Sequence, residues 1–189
     1  MTGKTARPQD KKKMIKTTRI DTPLGAMIAG ATKDGICLLE FSDRSELSEE
    51  FSILSKLLNT TIEEGRSMHL RSLKKQLKEY FKGTRKEFSV PLVTPGTEFQ
   101  QEVWNEIRRI PFGSTKSYGE QAKSLNKPAS VRAVANANGA NRISIIIPCH
   151  RVIGSDGRLV GYGGGLHRKK WLLDHEKKYS GQPVEITLF

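Results

Sequence analysis

The stretch Ile145-Ile-Ile-Pro-Cys-His-Arg-Val152 decides how the C-terminal half of the chain is organised. Apolar residues from Ile143 onward, interrupted only by Ser144, lead into Pro148. Proline fixes its own φ angle and has no backbone N–H to donate, so a strand-like run has to stop there. We therefore expect a buried approach segment that ends at the proline and delivers Cys149 to a fixed turn.

Cys149 is a candidate nucleophile because of its two neighbours in sequence. His150 is a base and Arg151 is a permanent cation, and groups of these kinds favour a thiolate over a thiol. The alternative is that a cysteine beside an isoleucine run is a small core residue. For the other cysteine, Cys37, which stands in a short apolar run, the core interpretation is the expected one.

Composition limits the class of protein. The chain has 189 residues and is 36% hydrophobic, which is enough for one large or two small cores. No stretch approaches the apolar length of a membrane span, and the first residues lack the apolar centre of a signal peptide. Two cysteines are too few for a cysteine-based zinc cluster and suit a reducing compartment. We expect a protein of the cytoplasm, or of the nucleus in a eukaryote, with no membrane partner, metal or cofactor.

The formal net charge of +12 is concentrated in two parts of the chain. Lys and Arg exceed Asp and Glu most clearly in residues 1–13 and in residues 94–178. We interpret residues 1–13 as a disordered basic tail because they have no apolar period. A basic domain suits a polyanion such as DNA, since neutralising phosphates releases counterions, although charge alone is equally compatible with an ordinary basic surface.

Residues 14–93 predict a small scaffold domain. Three short strands, at 16–21, 26–31 and 36–41, are separated by turn sequences and should form an antiparallel meander. Two helices should follow, because apolar residues recur at helical spacing, namely Leu47, Phe51, Leu54 and Leu58 in the first and Leu70, Leu73, Leu77 and Tyr80 in the second. No residues in this half have catalytic spacing.

Residues 94–178 predict a second, mainly helical domain, with a tail at 179–189. Capping-box pairs, which start helices, occur twice, as Thr97 with Gln100 and Ser117 with Glu120. Pro128 suits the first turn of a third helix over 129–138. Two short helices joined by a tight turn predict a helix-turn-helix, and Ser155-Asp-Gly157 predicts the tip of a wing hairpin.

The third helix of this domain has two faces with different side chains. Three residues can pack inward, namely Val131, Val134 and Ala135. The opposite face is made of small residues, namely Ala133, Asn136, Ala137 and Ala140. Such a face can lie close against a nucleic-acid groove, or it can simply let two helices approach each other. Arg132 stands at the edge of this face.

Glu176 is the candidate partner of the cysteine turn. In the predicted helix over 166–177 it shares a face with two leucines, and a carboxylate on an apolar face requires a partner. His150 would supply one. Because adjacent side chains diverge, His150 would then reach Cys149 through one water, which gives a relay from Glu176 through His150 and water to Cys149.

Three motifs together resemble one protein family. Ile-Pro-Cys-His-Arg-Val is the active-site motif of the O6-alkylguanine-DNA alkyltransferases, which move an alkyl group from guanine O6 onto their own cysteine. The helix around Arg132, the cysteine motif and the segment Trp-Leu-Leu-Asp-His-Glu176 occur in the family's order. The resemblance is tight from Phe99 to Lys178 and looser before it.

The resemblance implies a fold, an activity and a partner. The fold is α+β, with a small N-terminal domain on a three-stranded antiparallel, RNase H-like sheet and a mainly helical winged helix-turn-helix domain after it. The activity is irreversible transfer of one alkyl group to Cys149. The partner would be double-stranded DNA carrying O6-alkylguanine, bound by a monomer without a cofactor, and activity on O4-alkylthymine stays open.

The resemblance also implies roles for individual residues. Arg132 would enter the base stack in place of the flipped nucleotide, Tyr118 would rotate the target phosphate and donate to the guanine, and Asn141 would link the helix-turn-helix to the cysteine loop. Further DNA-facing residues would be Ala133, Asn136, Ala137 and Arg151, and the pocket wall would consist of Val152, Tyr162, Gly163 and Gly164. Several family members have serine where Gly163 stands, so we expect a main-chain donor and room for bulky adducts here.

Two other functions stay open at this point. A non-catalytic DNA-binding protein could use Cys149 only to sense alkylation damage. A cysteine hydrolase could use Cys149, His150 and Glu176, but it would need an oxyanion hole that the sequence does not reveal.

Overall fold

A four-stranded sheet forms the centre of the N-terminal half. The computed structural model of the protein describes residues 13–181. Strands β1 (Lys13–Thr22), β2 (Gly25–Ala31) and β3 (Ile36–Phe41) pair antiparallel, and β4 (Thr60–Glu64) pairs parallel to β1, so the order is β3-β2-β1-β4. The predicted basic tail lies outside the described residues except for its last residue, which begins β1.

The prediction of three antiparallel strands was incomplete because β4 was missed. The segment reads Thr-Thr-Ile-Glu-Glu, with one apolar residue, and gives no signal of a buried strand. It pairs at the edge of the sheet, where only Thr60 is buried. A strand at the edge of a sheet pairs with a neighbour along only one edge and leaves the other edge open to solvent, so it can form with few apolar residues.

Helices α1 (Leu47–Leu58) and α2 (Met68–Phe81) cover the sheet, as the leucine spacing predicted. The α1 helix buries Leu54 in a small cluster that also contains Cys37, so the core interpretation of Cys37 is confirmed. The α2 helix begins at Ser67, whose side chain accepts a hydrogen bond from the backbone of Leu70 at 3.1 Å. Its buried face ends at Tyr80, which is fully buried although it carries a hydroxyl.

The C-terminal half is mainly helical. It contains α3 (Glu98–Arg108), β5 (Lys116–Ser117), α4 (Tyr118–Ser124), α5 (Val131–Gly139), β6 (Val152–Ile153) and α6 (Leu166–Tyr179). Both predicted capping boxes are present, at Thr97 with Gln100 and at Ser117 with Glu120. Pro128–Ser130 forms a short 3₁₀ turn that leads into α5. Among residues 13–181, no helix has the length and apolar composition needed to cross a bilayer.

Two local predictions in this half were wrong. Residues 143–147 do not form a strand, because Ile143 makes only an isolated parallel bridge with Leu39 and residues 144–147 form a turn and a bend. Ile145 has φ of 72°, outside the extended region. The segment is held to β3 by two backbone hydrogen bonds, from Leu39 N to Arg142 O at 2.8 Å and from Ser144 N to Leu39 O at 2.9 Å. In place of the predicted wing hairpin there is a turn, which is closed by a hydrogen bond from Gly154 N to Arg158 O at 2.9 Å. The β6 strand pairs parallel with β5, so it does not form a hairpin.

The two halves share one hydrophobic core and are joined by buried arginines. Arg168 on α6 donates to Leu24 O at 2.9 Å and to Asp43 Oδ2 at 2.7 Å, and its guanidinium lies 4.1 Å from the centroid of the Phe41 ring. Arg142, which precedes the cysteine segment, forms a single ion pair with Glu50 of α1. The N-terminal sheet is thereby fixed against the loop that carries the cysteine.

Candidate active site

Cys149 begins a single 3₁₀ turn, Cys149–Arg151, directly after Pro148. The turn that was predicted at Cys149 is therefore present, although no strand precedes it. The thiol is partly accessible and lines a cavity of about 100 Å³. The cavity also has walls from both halves of the chain, including Glu40, Arg44, Tyr118, Asn141, Tyr162 and Gly163.

Asn141 connects the end of α5 to the cysteine turn, as the resemblance implied. Its Nδ2 donates to Ile147 O at 2.8 Å and to Cys149 Sγ at 3.2 Å, and its Oδ1 accepts from Ile143 N at 2.9 Å. One buried amide thus fixes both the backbone before the proline and the sulfur itself. The hydrogen bond to sulfur also favours the thiolate, although burial outweighs it.

The thiol is not pre-ionised by its sequence neighbours. Burial raises the pKa of Cys149 to about 11, because a thiolate is poorly solvated there. Arg151, which we expected to lower this pKa, directs its guanidinium to Glu176 instead, with Arg151 Nε 2.8 Å from Glu176 Oε2. The expectation that His150 and Arg151 would hold a thiolate is therefore wrong for the resting protein.

His150 and Glu176 form the pair that the sequence predicted. Both side chains are fully buried, and His150 Nε2 lies 2.8 Å from Glu176 Oε1. Burial lowers the pKa of His150, and the attraction of Glu176 only partly opposes this effect. The other ring nitrogen, Nδ1, is buried and has no hydrogen-bond partner among residues 13–181. A neutral imidazole with one free nitrogen is the arrangement that general-base catalysis requires.

Arg151 lies inside the protein, so its prediction as a DNA-binding residue was wrong. It makes a two-point contact with Glu176, through Nε to Oε2 at 2.8 Å and Nη2 to Oε1 at 3.0 Å, and its Nη1 donates to Ile110 O at 2.6 Å. A planar guanidinium matches a carboxylate in this bidentate geometry. Arg151 therefore acts as the counter-charge that makes a buried Glu176 tolerable.

Two further donors to Glu176 were missed by the sequence analysis. The Tyr80 hydroxyl of α2 donates to Oε1 at 2.8 Å, and Gly113 N donates to Oε2 at 3.1 Å. Burial raises the pKa of Glu176, but His150 and Arg151 outweigh this effect and hold the pKa well below its usual range. The only signal for Tyr80 was a hydroxyl on an otherwise apolar helix face, since a buried tyrosine hydroxyl requires a partner.

Lys169 is another buried residue that the sequence analysis missed. Its Nζ donates to Val152 O and Val160 O, both at 2.6 Å, and to Gly161 O at 3.1 Å. Burial lowers its pKa to about 8. Lys169 thus ties the glycine-rich loop to β6. The sequence did contain a signal for its burial: Lys169 stands three residues before Leu172 and seven before Glu176, so it lies on the same helix face as both.

Tyr118 lies on the cavity wall at the start of α4. Its hydroxyl donates weakly to Val160 O at 3.4 Å. Burial, followed by the nearby Cys149, raises the pKa of Tyr118 to about 12, so the group is a phenol at neutral pH. It can therefore act as a hydrogen-bond donor inside the cavity.

The outer face of α5 agrees only in part with the sequence prediction. Arg132, Ala133 and Asn136 are exposed, but Ala137 is buried and its carbonyl accepts from Trp104 Nε1 at 2.8 Å. Ala137 is therefore a core residue rather than a DNA-facing one. Val131 also differs, since it is exposed instead of packed inward.

The predicted pocket wall is half correct. Tyr162 and Gly163 line the cavity beside Cys149, whereas Val152 is fully buried in the core. Gly164 packs on the N-terminal sheet, where an added Cβ would come within 2.7 Å of the Phe41 ring. The open space expected beside Gly163 is also absent, because Arg44 lies there. A larger cavity, of about 380 Å³ between Phe88 and Phe112, is not lined by Cys149.

Comparisons with known proteins match both halves of the chain. Residues 15–94 match the model of the 6-O-methylguanine DNA methyltransferase, ribonuclease-like domain, and residues 98–178 match that of the 6-O-methylguanine DNA methyltransferase, DNA binding domain. The methylated-DNA–protein-cysteine methyltransferase of Mycobacterium leprae is 42% identical over 164 residues, which is 87% of this chain and 93% of that protein.

The chain belongs to the 6-O-methylguanine DNA methyltransferase family. The family resemblance that was based on the cysteine motif is therefore confirmed. The RNase H-like character expected of the N-terminal half is confirmed as well.

Solved structures agree with this family assignment. The crystal structure of Mycobacterium tuberculosis O6-methylguanine methyltransferase superposes with a TM-score of 0.75 at 39% identity, covering 93% of this chain and 99% of that one. A structure of the M. tuberculosis protein in complex with DNA gives a TM-score of 0.73 at 38% identity, covering 88% of this chain and 94% of that one. The two-domain α+β architecture is confirmed.

Tyr80→Phe keeps the packed ring and removes one donor from the buried Glu176 carboxylate. Because a hydrogen bond to a charged group contributes about 1.5–3 kcal/mol, we expect the free energy of unfolding to fall by about that amount. Urea unfolding followed by tryptophan fluorescence measures the change.

Tyr179→Phe is the matched control, because the Tyr179 ring packs on His175 and the hydrogen bonds to Glu176 among the described residues come from other groups. We expect it to change the free energy of unfolding by less than about 0.5 kcal/mol. Equal losses in the two variants would show that the bond from Tyr80 to Glu176 contributes nothing.

Proposed function

We propose that this protein repairs DNA by transferring the alkyl group of O6-alkylguanine to its own Cys149, once per molecule. The observation that carries the proposal is the position of Cys149 Sγ, which lines a cavity, accepts a hydrogen bond from Asn141 and adjoins a buried base. The match of residues 98–178 to a DNA binding domain, and the likeness to a relative solved with DNA, support DNA as the partner.

The proposed reaction forms one bond and breaks one. The Cys149 thiolate attacks the alkyl carbon, the bond from that carbon to O6 breaks, and its electron pair moves onto the guanine. The proton that leaves the thiol is balanced by a proton that the guanine gains on a ring nitrogen. No oxidant, reductant or cofactor takes part. The thioether that forms is a poor leaving group, so each molecule reacts once.

His150 is the proposed base. With a pKa of about 11 the thiol is protonated at neutral pH, so a base has to remove its proton as the reaction begins. His150 is suited to this because its pKa is lowered and its Nε2–H donates to Glu176, which leaves Nδ1 as an acceptor. One water between Nδ1 and Sγ would carry the proton, and Glu176 would stabilise the imidazolium that results.

Asn141 and Tyr118 are proposed to serve the two charges that develop. Asn141 Nδ2 already donates to the sulfur, so it stabilises the thiolate without rearrangement. The Tyr118 phenol lies on the same cavity and can donate to the departing guanine. Both donors are held by the fold before substrate arrives, which is the arrangement that electrostatic catalysis favours.

Helix α5 is proposed to bring the base from DNA to the cavity. Arg132, Ala133 and Asn136 form its exposed face, while Ala135 and Gly139 of the same helix line the cavity. A base extruded beside this helix therefore has a short path to Cys149. Extrusion costs a few kcal/mol, and an arginine that fills the vacated stack offsets part of that cost.

Transfer is favoured over the non-catalytic alternative by the same geometry. A protein that only senses damage could also carry a thiol on the cavity wall, but it has no need of a buried base such as His150, whose Nδ1 has no hydrogen-bond partner among residues 13–181. The reacting unit proposed here is a monomer, because the proposed reaction needs no residue from a second copy of the chain.

Incubation of the protein with a duplex containing one O6-methylguanine should add one methyl group per molecule, on the peptide that contains Cys149. Intact-mass and peptide mass spectrometry measure this. Cys149→Ala should bind the duplex and gain no methyl, whereas Cys37→Ala should behave like the wild type because Cys37 is in the core. Methyl on Cys37, or more product than protein, would refute the proposal.

Arg132→Ala should slow methyl transfer from duplex DNA by roughly tenfold, because a filling side chain worth about 1.4 kcal/mol is lost. The same variant should react with the free base O6-benzylguanine at nearly the wild-type rate, since no extrusion is needed. Single-turnover kinetics on both substrates measure the two rates.

Lys170→Ala is the control for the loss of one positive charge, since Lys170 is exposed on α6 and pairs with Asp174. It should affect neither rate by more than about twofold at moderate salt. Equal slowing of both substrates by Arg132→Ala would mean that Arg132 acts in chemistry or folding instead of extrusion.

A further inference from the structure

The space beside Gly163 is taken up by a neighbouring side chain, and the backbone there does not itself require glycine. Gly163 is not among the glycines with positive φ in the described residues. A Cβ built on it would lie 2.8 Å from Arg44 Nη1 and 2.9 Å from Arg44 Cζ, closer than real Cβ contacts come. The guanidinium of Arg44 thus occupies the volume that a side chain at position 163 would need.

Arg44 is held in this place by the N-terminal half of the chain. Its Nη1 lies 3.0 Å from Oε1 of Glu40, a carboxylate at the end of β3 that is only 1% exposed. Ser144, from the loop before the cysteine, donates to the same oxygen at 3.1 Å. The pair therefore sits at the junction of the two domains and is fixed from both sides.

The same pair forms part of the cavity that Cys149 lines. Glu40, Arg44 and Gly163 are all on its wall. The second carboxylate oxygen, Glu40 Oε2, is buried and has no hydrogen-bond partner within the described part of the chain. Burying an acceptor without a hydrogen-bond partner costs about 1–3 kcal/mol of folding free energy. A ligand bound in the cavity could donate a hydrogen bond to this oxygen.

We propose that Arg44 replaces the missing side chain at position 163 as the donor wall of the lesion pocket, where it contacts O6 of the departing guanine and limits the size of the alkyl group. This inference rests on the proposed function. It gives the ribonuclease-like half a part in substrate recognition, in addition to its role as scaffold.

The proposed role of Arg44 depends on charge as well as on shape. Negative charge grows on O6 as the alkyl carbon leaves, and a fixed guanidinium at the cavity wall stabilises that charge without rearranging. The Arg44 side chain is only 11% exposed, so solvent screens it less than a surface arginine. The same guanidinium takes up the room that a bulky adduct would need.

The test is a double-substitution cycle between Arg44 and Gly163, with single-turnover rates on an O6-methylguanine duplex and on free O6-benzylguanine. Arg44→Ala should slow methyl transfer about tenfold and should raise the rate on the benzyl base relative to the methyl duplex. Gly163→Ser alone should also be slow, because its Cβ would displace the Arg44 guanidinium from its position beside Glu40.

The double variant Arg44→Ala/Gly163→Ser should recover to within about threefold of the wild type, because serine fits the vacated space and supplies a hydroxyl donor. Recovery of this kind is not expected if Arg44 only stabilises the fold. If the two slowing effects multiply in the double variant, or if Arg44→Ala has wild-type rates on both substrates, the inference is overturned. In either case, methyl transfer by the wild-type protein would still support the proposed function. A wild-type protein that transfers no methyl would refute both.

Two controls keep the cycle interpretable. Arg44→Ala leaves the Glu40 carboxylate buried without its cation, which can destabilise the fold. If the first series of variants is unstable, the cycle is repeated in a Glu40→Gln background, which removes the buried negative charge. Arg19→Ala, an exposed arginine of β1 paired with Asp21, removes the same charge from the same domain. It should leave both rates within about twofold of the wild type.

Discussion

The buried carboxylate of Glu176 is the interaction on which the site depends. It accepts hydrogen bonds from His150, from Arg151 twice, from Gly113 and from Tyr80, so three separate parts of the chain and both domains meet at one group. An ionised carboxylate without these partners would be costly to bury, and with them its pKa falls below the usual range. The fold and the base are therefore stabilised by the same contacts. Loss of Glu176 would leave a buried guanidinium unpaired and an imidazole without orientation.

In the proposed reaction this arrangement gives a nucleophile that is uncharged in the resting protein. Burial keeps Cys149 as a thiol and His150 as a neutral base, so neither carries charge in the resting protein. A thiol with a pKa of about 11 is poorly reactive toward cellular electrophiles, which suits a group that can be used only once. Asn141 and the cavity wall supply the stabilisation at the moment when charge appears. Selectivity then follows from what the cavity admits more than from intrinsic reactivity of the sulfur.

The sequence predicted what depends on local spacing and failed where distant residues decide. The helix start at Thr97 follows from a side chain three residues away and is confirmed. Arg151 looked like a free cation, because its partner Glu176 stands 25 positions later in the chain. Ala137 looked like part of a groove-facing surface, because nothing near it in sequence shows that the Trp104 indole packs there. Arg44, in a half of the chain that looked like pure scaffold, could be assigned to the cavity only from three-dimensional proximity.

The most direct test is the protonation state of His150, because the proposed mechanism requires a neutral base that is oriented by an ionised Glu176. Nitrogen-15 NMR of histidine-labelled protein, with the signal assigned by its absence in His150→Gln, measures both ring nitrogens across pH. We expect a proton on Nε2 and none on Nδ1 at pH 7, and we expect this state to persist below the ordinary histidine pKa of 6.5 because burial lowers the pKa of His150. An imidazolium at pH 7, or a proton on Nδ1, would contradict the proposed mechanism.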